Sequence, residues 1–75
     1  MKILAFGRLS ELIGSAQIDV KGIQTVQELR LELNRQFPLL ESEVFAIAVN
    51  KHIVTDEICL ENDSEVALLP PFSGG

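Results

Sequence analysis

The sequence predicts an α+β fold, with one main helix laid across one face of a mixed β-sheet. Three observations carry this. The apolar runs come in the order strand, strand, helix and then further strands. Only one stretch, 26–37, holds a long helical repeat. The first and last apolar runs, Lys2–Phe6 and Glu65–Leu69, are apolar on both alternating faces, as strands in the middle of a sheet are. At 75 residues the chain makes one domain, and 47% hydrophobic residues can supply its core.

Taken in order, Lys2 to Phe6 places Leu4 and Phe6 on one face and Ile3 and Ala5 on the other, and Gly7 ends the run. Arg8-Leu9-Ser10-Glu11-Leu12-Ile13-Gly14 suits one or two helical turns stopped by Gly14. Ser15 to Val20 alternates Ala16, Ile18 and Val20 against Gln17 and Asp19, a second strand, and Lys21-Gly22 turns the chain. Thr25-Val26-Gln27-Glu28 is a capping box, with Glu28 expected to reach back to the Thr25 amide. The helix it opens should run from Val26 to about Phe37. Val26, Leu29, Leu33 and Phe37 form its buried stripe, Leu31 points away, and Pro38 ends it.

Phe45-Ala46-Ile47-Ala48-Val49 reads as a third strand. Asn50-Lys51 is a tight turn and His52-Ile53-Val54 a short return strand. Ile58-Cys59-Leu60 is brief and apolar, and Cys59 within it reads as a small buried residue rather than a sulfur relay. Glu61-Asn62-Asp63-Ser64 is a polar turn before the last strand. Packed with the first and last strands side by side, this order is a β-grasp roll.

The single helix leaves the other sheet face short of a cover. Phe6 and Leu69 should meet there, joined by Ile53 and by Ala46, Ala48 and Ala67. An uncovered apolar patch marks a partner surface; the competing expectation is that the loop 38–44 folds over it.

Composition excludes several classes. The net charge of −5 opposes a phosphate backbone, so no nucleic acid partner is expected. Cys59 and His52 are the only Cys and His, which leaves no disulfide and no metal cluster. Glu28 and Glu32 read as cap and helix surface, and His52 as a solvated loop residue. No run approaches membrane-spanning length and the opening run is too short for a signal peptide, so a cytoplasmic location is expected.

The chain divides into a β-grasp domain, 1–69, and a flexible extended tail, 70–75. Pro70 and Pro71 lack amide hydrogens, so the sheet ladder cannot pass Leu69. Phe72 is expected to anchor in a partner groove. Ser73 leads to Gly74 and Gly75, whose bare backbone can enter a channel closed to any Cβ. The group left at the tip is the Gly75 carboxylate. A bare Gly-Gly end could be an idle terminus or a cloning remnant; the two prolines between strand and glycines favour a working tail.

These residues carry a resemblance. Leu69-Pro70-Pro71-Phe72-Ser73-Gly74-Gly75 resembles the end of the molybdopterin synthase small, sulfur-carrier subunit family, within the ubiquitin-like sulfur carriers. Phe6-Gly7-Arg8-Leu9-Ser10-Glu11-Leu12 is similar to its Phe-Ala-x-Leu-Arg-Glu-Leu, Ala48-Val49-Asn50 to its Ala-Val-Asn, and Leu60-Glu61-Asn62-Asp63-Ser64-Glu65-Val66 to its Leu-x-Asp-Gly-Asp-Glu-Val. Ser10 replaces an arginine, which puts a partner contact of that arginine in doubt. Asn62-Asp63-Ser64 replaces Asp-Gly-Asp, with Asn62 or Asp63 expected to take the left-handed region at slightly lower stability.

The resemblance implies a division of labour. A ubiquitin-activating-like adenylyltransferase and sulfurylase adenylates Gly75 with ATP, and the adenylate becomes a C-terminal thiocarboxylate. Pro70 to Gly74 thread the tail into the large catalytic subunit of molybdopterin synthase. There the sulfur passes to a cyclic pyranopterin monophosphate, and two transfers build a dithiolene. The assembly implied is a heterotetramer of two small and two large subunits, with Phe6, Ile53 and Leu69 at the interface. The chain itself would bind no cofactor or metal and supply no catalytic group beyond Gly75. Three alternatives stand beside this: a carrier for another pathway such as thiamine thiazole synthesis, a ubiquitin-like protein modifier, and an interaction domain with an idle tail.

Overall fold

The first and last strands pair in parallel at the centre of a five-stranded mixed sheet. The structure is a computed structural model and describes residues 1–54 and 56–70. Strands β1 (Lys2–Ala5), β2 (Gln17–Asp19), β3 (Ala46–Val49), β4 (His52–Ile53) and β5 (Val66–Leu69) lie in the order β2-β1-β5-β3-β4. The β1–β5 pair is parallel and the other three are antiparallel. With the covering helix, this is the β-grasp arrangement that the element order predicts.

Helix α1 (Arg8–Ile13) ends on Gly14, whose φ of 85° is the left-handed cap that glycine supplies. Helix α2 (Val26–Gln36) starts at Thr25, whose hydroxyl accepts from the Glu28 amide at 3.1 Å. The return half of the box differs from expectation: the Glu28 carboxylate accepts from the Gln24 amide at 2.8 Å. Thr25 is extended (φ −135°, ψ 163°). Successive amides of an extended backbone point to opposite sides, and the one facing Glu28 is that of Gln24. A second acid, Glu57, accepts from the Gln27 amide at 3.0 Å, and both carboxylates suit the positive end of the helix. Phe37, pushed out of the helical region by Pro38, closes it (φ −130°, ψ 80°).

The core lies between α2 and one sheet face. Val26, Leu29 and Leu33 meet Ile3, Ala5, Ile47, Val49, Val66 and Leu68 there, all buried. Phe37 is only partly buried against this cluster, and Leu31 is exposed. A 3₁₀ helix (Pro38–Ser42) adds buried Leu40 to the same side. The next residue, Glu43, accepts from Arg8 Nε at 3.0 Å. The loop 38–44 is thus committed to the helix side and leaves the opposite face bare.

Three expectations need correction. The second strand is shorter than Ser15–Val20, although Ala5 N–H to Ala16 O and Val20 N–H to Met1 O, both 2.9 Å, extend its ladder. Cys59 is exposed. It forms an isolated bridge with Thr25 at the mouth of α2, where the alternation turns Leu60 inward and Cys59 out. The turn 61–64 needs no left-handed residue, since the non-glycine residues with positive φ among those described are Asn50 and Lys51. Ser64 N–H closes it on Glu61 O at 3.0 Å while the Ser64 hydroxyl accepts from Glu61 N–H at 2.9 Å, so the turn closes without a glycine.

Candidate functional site

Alternation along four strands places Leu4, Phe6, Ala46, Ala48, Ile53, Ala67 and Leu69 on the face away from α2. The register makes them neighbours: Leu4 pairs with Ala67, Ala46 with Leu69, and Ala48 with both Ala67 and Ile53. Phe6 lies just past β1, but its amide donates to Leu68 O at 3.2 Å, so the ladder continues and Phe6 arrives level with Leu69. The alanines make a shallow floor between larger side chains. Phe6 is 47% exposed and Ile53 49%. Three residues expected at a partner surface, Phe6, Ile53 and Leu69, are therefore brought onto one face. Leu4 belongs with them, and its place on the same alternate set as Phe6 was the available signal.

The rim of this face is polar. Gln17 and Asp19 border it on β2, opposite Leu4 and Lys2. The Met1 ammonium donates to Asp19 at 3.0 Å and holds its carboxyl below the usual range. A cleft of about 270 Å³ between Lys2, Leu4 and the 62–65 turn adjoins the patch. The hairpin turn is built for its place: Asn50 and Lys51 take φ of 50° and 71°, the conformation of a two-residue turn. Asn50 Oδ1 then accepts from Glu65 N–H at 2.9 Å and ties the hairpin to the start of β5.

β5 ends at Leu69, and Pro70 leaves it half-buried beside Gly7. Pro71, Phe72, Ser73, Gly74 and Gly75, expected to form the working tail, lie outside the described residues. Ser10, at the position of the arginine in the similar motif, donates its hydroxyl to Gly7 O at 2.7 Å. Among the described residues no group of three or more His, Cys, Asp or Glu could hold a metal ion. No helix among them is long and apolar enough to cross a membrane. His52, on β4, and Cys59, at the α2 mouth, are both exposed. The arrangement is an open apolar face with β5, which leads to Pro70, at its centre.

Known proteins share this fold. The model of the ThiS family matches residues 3–75. Over 79 residues the chain is 34% identical to the molybdopterin synthase sulfur carrier subunit of Arabidopsis thaliana, a match covering all of this chain and 82% of that one. It resembles a chain in the complex of subunits 1 and 2 of the molybdopterin-converting factor from Helicobacter pylori 26695, with a TM-score of 0.73, 30% identity and coverage of 99% and 96%. It also resembles small archaeal modifier protein 1 of Methanosarcina acetivorans, with a TM-score of 0.79, 26% identity and coverage of 99% and 94%.

Proposed function

The chain belongs to the ThiS family, and from that premise we propose that it is the sulfur-carrier subunit of a molybdopterin synthase. The observation that carries this reading is the likeness, over the whole chain, to a molybdopterin synthase sulfur carrier subunit. The bare sheet face supports it, because a carrier must dock before it delivers. The likeness to a chain solved in a complex of subunits 1 and 2 supports a large subunit as the partner for that face.

On this reading residues 1–69 dock and residues 70–75 reach the chemistry. A carboxylate is a poor electrophile, since its leaving group would be oxide. An adenylyltransferase partner therefore uses ATP: a Gly75 carboxylate oxygen attacks the α-phosphorus and pyrophosphate leaves. A hydrosulfide-level sulfur then attacks the acyl carbon and AMP leaves, giving the thiocarboxylate. In the large subunit that sulfur bonds to a carbon of the cyclic pyranopterin monophosphate as that carbon's bond to oxygen breaks, the oxygen departing as water or with the phosphate of the opened ring. Water cleaves the acyl–sulfur link and restores the Gly75 carboxylate. Gly74 gives both partners room to close, Phe72 anchors in the partner groove, and the catalytic groups belong to the partners. Two small and two large subunits form the working assembly, in the cytoplasm, and this chain holds no cofactor.

The test is sulfur transfer from thiocarboxylated protein to the cyclic pyranopterin monophosphate in the presence of the large subunit. Wild type transfers. A variant lacking Gly75, or extended by one residue, folds but does not transfer, because one residue moves the reacting carbon by about 3.3–3.6 Å. Transfer by either variant would refute the reading. The likeness to a small archaeal modifier protein favours a second one, in which Gly75 is joined to lysines. It predicts covalent adducts on many proteins in a denaturing gel, and their abundance at the expense of thiocarboxylate would favour it.

A further inference from the structure

We propose that Lys51, at the tip of the β3–β4 hairpin, is a specificity-determining contact of the docking face: its ammonium meets a carboxylate of the large subunit and fixes the orientation in which the carrier lands. The proposal deepens the sulfur-carrier reading above and rests on it. Its first observation is in the backbone. Lys51 takes a φ of 71°, in the left-handed region, where a side chain is strained and glycine is not. Asn50, at φ 50°, is a residue type that tolerates this region; lysine is not. The turn is pinned and cannot relax. Asn50 N–H donates to Glu65 O at 2.8 Å, and Asn50 Oδ1 accepts from Glu65 N–H at 2.9 Å. Val49 pairs with His52 across the hairpin. Glycine would suit the turn better, so what Lys51 adds is its side chain. Strain of this kind gathers at binding sites.

That side chain is not used within the domain. Of the six basic residues, Arg8 pairs with Glu43 and Arg35 with Glu32. Arg30 lies over Phe45, 5.4 Å from the ring centre. Lys2 stands opposite Asp19 in the β1–β2 register, and Lys21 follows Asp19 closely in the chain. Lys51 is exposed and forms no ion pair and no ring contact among the described residues. In a chain of net charge −5 it is an isolated positive point, and a carboxylate is the group that complements it. Its place gives it a role. Ala46 is level with Leu69 and Asn50 with Glu65, so the turn lies about 13 Å along β3 from the Leu69 end of the open face. Ile53, half-exposed on that face, follows Lys51 by two residues. Apolar burial is non-directional and does not by itself fix how the patch is rotated on its partner. A charge pair at one corner does, and it favours encounters in that orientation.

The experiment measures association and dissociation rates of the carrier with the large subunit at low and high salt, beside thermal melts of the free carrier. Lys51→Gly should raise Tm, because the turn loses its strain, and yet lower the association rate about fivefold at low salt. Lys51→Gln, which keeps a side chain and loses the charge, should lower that rate by the same factor and leave Tm unchanged. Lys51→Glu should lower it further, and Lys51→Arg should keep the wild-type rate. Dissociation should stay within about twofold throughout, and the differences should fade in high salt. Lys21→Gln removes a charge away from the hairpin and should leave association unchanged. Wild-type association in both Lys51→Gly and Lys51→Gln would overturn the contact. An equal fall in Lys21→Gln would assign the effect to net charge and overturn it too. Absence of any binding by the wild type would overturn the carrier reading, and the contact with it.

Discussion

The two faces of the sheet are made by the same strands and the same alternation, yet they differ in what covers them. On the α2 side Ile3, Ile47, Val66 and Leu68 have no exposed surface. On the other side Phe6 and Ile53 keep about half of theirs. Apolar content alone does not separate the faces, since Leu4, Phe6 and Leu69 are as apolar as their neighbours. The cover does, and the described residues hold only enough helix to cover one face. Its remaining segment of comparable apolarity, Pro38–Ser42, lies on the side already covered. Substitutions on the two faces should therefore act on different equilibria, folding on one and association on the other.

The largest effect is expected on the covered face. Leu29 is fully buried in the core, and Leu29→Asp leaves an unpaired carboxylate there, so the cooperative melting transition should vanish. A variant that still melts cooperatively near the wild-type temperature would erase the contrast between the faces. Phe6→Asp on the open face should melt within a few degrees of wild type. Its affinity for the large subunit should fall by orders of magnitude, because the same aspartate is solvated in the free protein and buried in the complex. Calorimetric titration of both variants separates the two losses. If Phe6→Asp unfolds the protein instead, the open face is part of the core.

A smaller effect sharpens the comparison. Thr25→Ala removes the hydroxyl that caps α2 and should cost about 1 kcal/mol, lowering Tm by roughly 4–8 °C for a domain of this size. Affinity for the large subunit should not move, since α2 lies on the far side of the sheet. A loss of affinity equal to the loss of stability would show that the faces are coupled.

The smallest effect is electrostatic and lies on the outer surface of α2. Hydrogen bonding from Arg35, and then from Gln36, holds the Glu32 carboxyl below its ordinary value of 4.5. A lowered folded value stabilises the fold above the unfolded value and loses that contribution as pH falls through the folded one. Arg35 is exposed and Glu32 half-buried at the surface, so the effect is small and screened by salt. The Tm gap between wild type and Glu32→Gln should be present at neutral pH, close on acidification below that ordinary value, and shrink in high salt. A gap independent of pH would assign it to helix propensity instead.

Much of this division was legible in the sequence, for physical reasons that differ by element. The both-face apolarity of Lys2–Phe6 and of Glu65–Leu69 places β1 and β5 at the centre, because only central strands bury both alternate sets. The capping box and Pro38 bracket α2 because they act locally. Phe6, Ile53 and Leu69 fall on one face because strand alternation is a local rule and the register preserves it. What escaped was set by tertiary contact. Cys59 reads as buried from its apolar neighbours, but its bridge to Thr25 decides which way it faces. Asn62 and Asp63 read as a turn in want of a glycine, until Ser64 closes it with backbone and hydroxyl together. Gly7 reads as a strand end; that Pro70, far away in sequence, lies beside it follows from the parallel pairing.

The most direct measurement is the intact mass of the protein taken from its native host. A sulfur carrier should show a second species, heavier by the difference between one sulfur and one oxygen atom, with the exchange localised by fragmentation to Gly75. That species should accumulate when the large subunit is removed and disappear when the adenylyltransferase is removed. A single unexchanged mass under all three conditions would contradict the account.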